Sequence, residues 1–253
     1  MTELTQSRSI ESPKVLSVLG LPVHVLNDYP SWLFAQAQQR CGLHVVTLNA
    51  EMAMQAEQNG ELTEIIRAAD LVVPDGAGVV LYLRLLRRQQ VSRCPGIELA
   101  EELLRRSAGS HGAKPLSIFF YGGAPGVCEN AAQVWKSRVP GIAIAGTQHG
   151  YLSEEQQRDL EHTFRDRQPD IILVGLGVPR QETWIRDHRY LCPNAVWIGV
   201  GGSFDIWSGV KTRAPGWLRN NNLEWVYRLY QEPWRWRRML ALPHFAWKAL
   251  WSR

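Results

Sequence analysis

The chain has 253 residues, 45% of them hydrophobic, which supports a sizeable folded core and excludes a disordered or low-complexity protein. A net charge of +4 suits an anionic ligand or a membrane surface and does not demand nucleic acid. Cys41, Cys94, Cys128 and Cys192 show no disulfide or zinc spacing, which points to a reducing, cytosolic setting; no apolar run is long enough for a spanning helix, and the N-terminus lacks a signal core.

Residues 1–13 are polar and expected to be mobile. Val15 to Val25 carries Gly20 and Pro22 and reads as a strand or hairpin. Tyr29 to Arg40 is expected as a helix with Ser31 as a cap. Leu43 to Asn49 reads as a strand whose end delivers Thr47 and Asn49, and two short helices follow, Glu51 to Glu57 and Leu62 to Ala69. Asp70 to Gly78 is a strand with its exit loop, and Val79 to Arg88 a helix with a basic end, as the helix dipole favours. Arg93 to Gly96 is a loop before a helix at Ile97 to Ser107. Leu116 to Tyr121 is a strand, and its glycine turn opens the helix Val127 to Ser137. Gly141 to Gly146 is another strand, and Ser153 with Gln156 forms a capping box for the helix that ends at Arg167.

The apolar run Ile171 to Val174 is short, β-branched-rich and bounded by Pro169 and Gly175, so it reads as a fully buried strand. Gly175 and Gly177 turn the backbone, and Pro179 suits the first turn of a helix that presents Gln181 and Glu182. Ala195 to Val200 is the last strand. The alternation of strand, turn and helix predicts an α/β fold: a doubly wound, mostly parallel, Rossmann-like sheet over residues 14–209, with a helical, Trp- and Arg-rich appendage over residues 210–253. Such sheets bind ligands at the carboxyl ends of their strands.

Three glycine turns follow strands, at residues 122–126, 175–177 and 199–202, and none is a GxGxxG fingerprint. Each alone is read as a tight turn; together they favour phosphate or nucleotide binding, with Gly122, Gly123, Gly175, Gly177, Gly201 and Gly202 as candidate contacts. Asp75 follows an apolar strand at the sheet edge. It can serve as a partly desolvated general base or cap the next helix, and spacing alone leaves both open. Gly76, Arg93, Gln181 and Glu182 complete the candidate substrate contacts. Thr47 and Asn49 can face one ligand or bond locally to backbone. The seven histidines show no HxxxH pairing, and no Asp-x-Asp occurs anywhere, so no metal or cofactor is expected. From Glu224 on, five tryptophans stand among six Lys or Arg, the composition of an interfacial segment. Packing of those rings on the core is the alternative.

These pieces, in this order, resemble the bacterial WecG/TagA/CpsF glycosyltransferases. The matching stretches are TLNAEM (47–52), PDGAGVV (74–80), FFYGGAPGV (119–127), PDIILVGLGVPRQETWI (169–185), IGVGGSFDIWSG (198–209), RAPGW (213–217) and EWVYRLYQEPWRW (224–236). Glu98 departs from the pattern, where members often carry Asp. The resemblance implies transfer of a hexose or N-acetylhexosamine, with inversion and without a metal, from a UDP-sugar donor to a polyprenyl-diphosphate-linked sugar acceptor. It implies a peripheral position at the cytoplasmic face of the inner membrane, through residues 224–253. It matches Asp75 to the family's base, and Thr47, Asn49 and Gln181 to polar residues of the active site. Arg228, Arg235 and Arg238 match arginines that close over the diphosphate. No nucleic-acid partner is expected, and a homo-oligomer is left open. Two alternatives stand at this level: a nucleotide-dependent oxidoreductase, which the missing fingerprint disfavours, and a non-catalytic, membrane-docked partner of a polysaccharide assembly complex.

Overall fold

The computed structural model describes residues 12–109 and 114–251. Most of the polar leader, residues 1–11, and His111 lie outside them. Strands β1 (Lys14–Val18) and β2 (Leu21–Val25) form an antiparallel hairpin. Its two turn residues, Leu19 (φ 49°) and Gly20 (φ 82°), are both left-handed, the conformation that a two-residue hairpin turn requires. Six further strands make one parallel sheet: β3 (Leu43–Leu48), β4 (Leu71–Pro74), β5 (Ser117–Gly122), β6 (Ala143–Gln148), β7 (Ile171–Gly175) and β8 (Val196–Gly199). Their spatial order is β4-β3-β8-β7-β5-β6. The doubly wound α/β class read from the sequence is thus what the chain adopts.

The inner strands read as nearly unbroken apolar runs because both faces of the sheet are covered there, whereas the edge strand β6, AIAGTQ, is only half-buried. Successive side chains point to opposite faces. Val45, Val73, Phe120, Leu173 and Ile198 join the helices Tyr29–Gln38, Gly96–Ser107 and Val127–Arg138 on one side. On the other side Val46 and Val72 meet the helices Ala50–Gln58 and Ala77–Leu86. Phe119, Ile172 and Trp197 meet Glu154–Arg167 and Arg180–His188 on that same side. The hairpin shields the β4 edge, where the His24 ring nitrogen Nδ1 accepts the Val72 N–H at 2.9 Å.

Local signals held at most boundaries. The capping box of Ser153 and Gln156 forms as expected. Ser31 is not a cap: Asp28 is, and its carboxylate accepts the Ser31 N–H at 3.0 Å. The Asp28 carboxylate also accepts the Ser31 hydroxyl, so Ser31 serves the cap as a donor.

The last strand in sequence, β8, inserts between β3 and β7 at the centre of the sheet. Chain direction across the sheet reverses there, and the loops after β3, β4, β7 and β8 gather at one edge. The segment from residue 210 is helical and holds no strand among the described residues. It returns to the body through the helix Ala241–Trp251, whose Phe245 and Ala249 are buried in the cluster formed by Ala50–Gln58 and Ala77–Leu86. The Phe245 ring meets Tyr82 edge-on at 6.1 Å. Replacing Phe245 with Ala removes a buried ring and leaves a cavity, so urea denaturation should show a loss of about 3 kcal/mol. An unchanged midpoint would mean that the helix does not pack on the body in solution.

Candidate active site

The loops at the carboxyl edge enclose a cleft of about 460 Å³. The sheet contributes Thr47 from β3, Asp75 from the residue after β4, Gly177 and Gln181 from beyond β7, and Gly201 and Gly202 from beyond β8. The C-terminal segment closes the other side with Arg213, Glu224, Tyr227, Arg228, Arg235 and Arg238. Five cations line the cleft (Lys211, Arg213, Arg228, Arg235, Arg238), facing four carboxylates (Glu51, Asp75, Glu224, Glu232).

Asp75 is held by its backbone, whose N–H donates to the Leu48 carbonyl at 3.0 Å. Its side chain does not cap the next helix: Gly76 occupies the cap position and no side chain bonds there. The Gly96 N–H donates to the Asp75 carboxylate instead. Burial pushes this carboxyl up to about 6, with Arg228 and Arg93 pulling it back. A group so placed is ionised at neutral pH yet close enough to its pKa to accept a proton.

Glu224 binds the two sides together. It accepts from Arg228 at 2.9 Å and from Arg93, in the loop after Ala77–Leu86, at 3.3 Å. Burial alone would raise its carboxyl, but Arg228, Arg213 and Arg93 outweigh burial and hold it below the ordinary carboxylate range. The other tail arginines are held in the same way. Arg235 pairs with Glu232 at 2.8 Å, and Arg238 pairs with Glu51 at 3.5 Å. Lys211 bridges Asp205 at 3.1 Å and Glu232 at 2.9 Å. An arriving diphosphate would therefore find its cations already positioned, and it would compete with carboxylates for their N–H groups.

Gln181 sits at the floor. Its carbonyl oxygen accepts the Gly201 N–H at 3.0 Å, and its amide donates to Glu182 at 2.8 Å. Glu182 lies behind it, fully buried, with Oε2 lacking a hydrogen-bond partner. Burial pushes that carboxyl up to about 7. Gly199 makes room for the pair: a Cβ there would lie 2.3 Å from the Gln181 amide nitrogen.

The structure brings Thr47, Asn49, Asp75, Gly177, Gln181, Gly201, Gly202, Arg228, Arg235 and Arg238 to one cleft. Asn49 also caps the helix Ala50–Gln58, accepting the Met52 N–H at 2.9 Å, so its local bonding is real. Gly123 and Gly175 line a smaller neighbouring pocket of about 200 Å³. Gly76, Arg93, Gly122 and Glu182 stand outside both. Gly122 answers to packing, since a Cβ on it would lie 2.4 Å from the Gly175 carbonyl oxygen. Gly76 is pressed against Asn49, 2.8 Å from where its Cβ would be. The sequence reading gave no role to Glu224, Glu232 or Lys211. Glu224 stands four residues before Arg228 and Glu232 three before Arg235, a helical pairing signal that was available.

Comparison with known proteins agrees with this geometry. The Glycosyl transferase WecG/TagA/CpsF family profile matches residues 16–253. A Bacillus subtilis protein named N-acetylglucosaminyldiphosphoundecaprenol N-acetyl-beta-D-mannosaminyltransferase is 39% identical over 209 residues, 82% of this chain and 79% of its own. A Bacillus spizizenii protein of the same name is 39% identical over 207 residues, 82% of this chain and 78% of its own. The chain belongs to the WecG/TagA/CpsF family and is a glycosyltransferase. The oxidoreductase and non-catalytic alternatives give way to that.

The Asp75 geometry has a consequence for stability. Its folded pKa lies above the ordinary value, so the folded state holds a proton that the unfolded chain releases at lower pH. This group's contribution to stability falls as pH rises from about 4 to about 6 and stays low above that. Asp75→Asn should therefore melt at or above the wild-type temperature at pH 7.5, with the difference fading towards pH 4. Thermal melts across that range read it directly. A variant that melts well below wild type at neutral pH would contradict the burial argument.

Proposed function

We propose that this enzyme transfers an N-acetylhexosamine from a UDP-sugar to a saccharide carried on a polyprenyl diphosphate, with inversion and without a metal, during cell-surface polysaccharide synthesis. The observation that carries the proposal is Asp75, a carboxylate at the cleft floor in the field of Arg228, with the other tail arginines on the same cleft. The relatives' names supply the substrate class: each is an N-acetyl-beta-D-mannosaminyltransferase acting on a diphosphoundecaprenol-linked N-acetylglucosamine.

The chemistry is one displacement. As an acceptor hydroxyl oxygen attacks the anomeric carbon, its proton passes to Asp75. The bond from that carbon to the diphosphate oxygen breaks on the opposite side, and UDP leaves with the electron pair. A donor α-linked to its nucleotide yields a β product in this way. Charge builds on the departing diphosphate, and Arg228, Arg235 and Arg238 are placed to stabilise it by charge-assisted bonds. The backbone N–H groups of the glycine turns at Gly177 and at Gly201–Gly202 add neutral donors. In this reading Thr47, Asn49 and Gln181 orient the sugars.

The same reading puts the enzyme on the cytoplasmic face of the membrane as a peripheral protein. No helix among the described residues is long and apolar enough to cross a bilayer. Trp234, Trp236, Trp247 and Trp251 are exposed among Arg235, Arg237, Arg238 and Lys248. Rings and cations in that mixture suit headgroup depth.

The test is UDP release from a panel of UDP-sugars with a short-chain lipid-diphosphate acceptor. Asp75→Asn should lower kcat by roughly a hundred- to ten-thousandfold while KM for the donor holds. Wild-type kcat should fall about tenfold per pH unit below the Asp75 pKa of about 6, and the variant should lack that limb. Near-normal turnover by the variant would place the base elsewhere. A second assay adds EDTA, which should leave the rate unchanged. Loss of activity restored by magnesium or manganese would show that the arginines do not suffice as counter-charges.

A further inference from the structure

The helix Ala77–Leu86 begins two residues after Asp75 and carries a second apolar surface that the catalytic reading does not use. Its inward side chains, Val79, Val80, Tyr82 and Leu83, are buried. Its outward stripe is Leu81, Arg84 and Leu85, spaced three and four residues apart, and Arg88 is exposed just beyond the helix end, where the backbone turns left-handed. Leu81 is 55% exposed and Leu85 is 66% exposed. Lys14 ties the β1–β2 hairpin to the loop beyond this helix through the Gln89 side chain at 2.7 Å, and beside it Val15 is 58% exposed. No Asp or Glu occurs between Asp75 and Glu98, nor between Ser12 and Asn27. Within these two segments the exposed side chains are apolar, polar or cationic. On the neighbouring helix Ala50–Gln58 the Glu57 carboxylate is paired with Lys248 of the C-terminal helix.

This stripe adjoins the C-terminal helix. Phe245 of Ala241–Trp251 packs on Tyr82, and a Cβ on Gly78 would lie 3.6 Å from its ring. At about 100° per residue, Leu85 is roughly 60° around the helix from Tyr82, and Leu81 about 100° on the same side. Both leucines thus flank the C-terminal helix, which turns Phe245 and Ala249 inward and leaves Trp247 and Trp251 exposed.

We infer that the outward stripe of Ala77–Leu86, with Val15 and Lys14, rests on an anionic lipid bilayer together with the C-terminal helix, so that the membrane contact includes the catalytic body itself. The inference rests on the proposed reading of a lipid-carried acceptor and extends it. Lipid is favoured over a protein partner by the composition: exposed leucines flanked by Arg84, Arg88 and Lys14, with no carboxylate in either segment and Glu57 of the neighbouring helix already paired with Lys248. The geometry also gives the contact a use. Leu81 and Leu85 lie about 6 and 12 Å along the helix axis from Ala77, whose chain neighbour Gly76 adjoins Asp75. A rigid helix seated on the bilayer would hold the base at a set height above the headgroups. A diphosphate alone separates the acceptor sugar from its lipid, so that height matters.

The test uses the full-length protein and phosphatidylcholine vesicles containing about a third phosphatidylglycerol. Leu81→Ser with Leu85→Ser should lower vesicle partitioning at least tenfold or so, with melting temperature and kcat on a soluble short-chain acceptor retained. Turnover of a long-chain acceptor embedded in the vesicles should fall with partitioning. Arg88→Gln should lower partitioning about fivefold, the effect of one cation near the surface, and by less on pure phosphatidylcholine. If the leucine variant binds vesicles like wild type while Trp247→Ala with Trp251→Ala releases the protein, the stripe is not on the membrane and the tail reading survives alone. Wild-type protein that ignores these vesicles sinks both readings. Unchanged partitioning together with a wild-type dimer that becomes monomeric in the leucine variant would make the stripe an interface between copies and overturn the inference.

Discussion

Glu224 accepts one hydrogen bond from Arg228 on its own helix and another from Arg93 on the body, and the architecture of the cleft depends on that pair of bonds. Arg93 is anchored in the loop that leads into the helix Gly96–Ser107, whose first N–H bonds Asp75. Asp75, the loop and the C-terminal segment are thus one electrostatic unit. The two arginines favour the charged form of the desolvated Asp75, and Glu224 would be costly to bury without their guanidinium groups. Each partner is tolerable because the others are present.

The same logic extends along the tail. Arg235 and Lys211 share Glu232, and Arg238 reaches Glu51 on the body helix Ala50–Gln58. The cleft is close to charge balance before any substrate enters. In the proposed reading a diphosphate brings excess negative charge to these cations, at the expense of their present partners. Exchange of this kind favours a polyanion over a neutral sugar, because only the former replaces what the carboxylates supplied.

Beneath the charged layer lies a buried polar one. Gln181 links the Gly201 amide to Glu182, in a space that exists only because residue 199 is glycine. The carboxyl of Glu182 has no cation beside it, unlike Asp75, so burial acts on it with little opposition. Burial raises both carboxyls, but only Asp75 has arginines beside it and lines the cleft, while Glu182 lies behind Gln181 and accepts its amide.

Much was legible from residue order alone. Apolar runs marked the inner parallel strands closely, because a strand buried on both faces has no polar alternation to blur it, and the half-buried edge strand β6 was read two residues early at each end. The capping box at Ser153 and Gln156 was equally plain, being a contact between neighbours. Residue order also put Asp75, Gln181 and the glycine turns after strands, which is enough to send them to one edge of a parallel sheet. It did not decide that β8 would enter between β3 and β7, or that Gly122 would be pressed against the Gly175 carbonyl. It did not reveal that Arg93, 131 residues from Glu224, would meet it. Nor did it show that Phe245 would close the core under Tyr82. Those outcomes rest on contacts between distant segments, whose energies depend on burial and on facing charges that come into being only when the sheet is assembled.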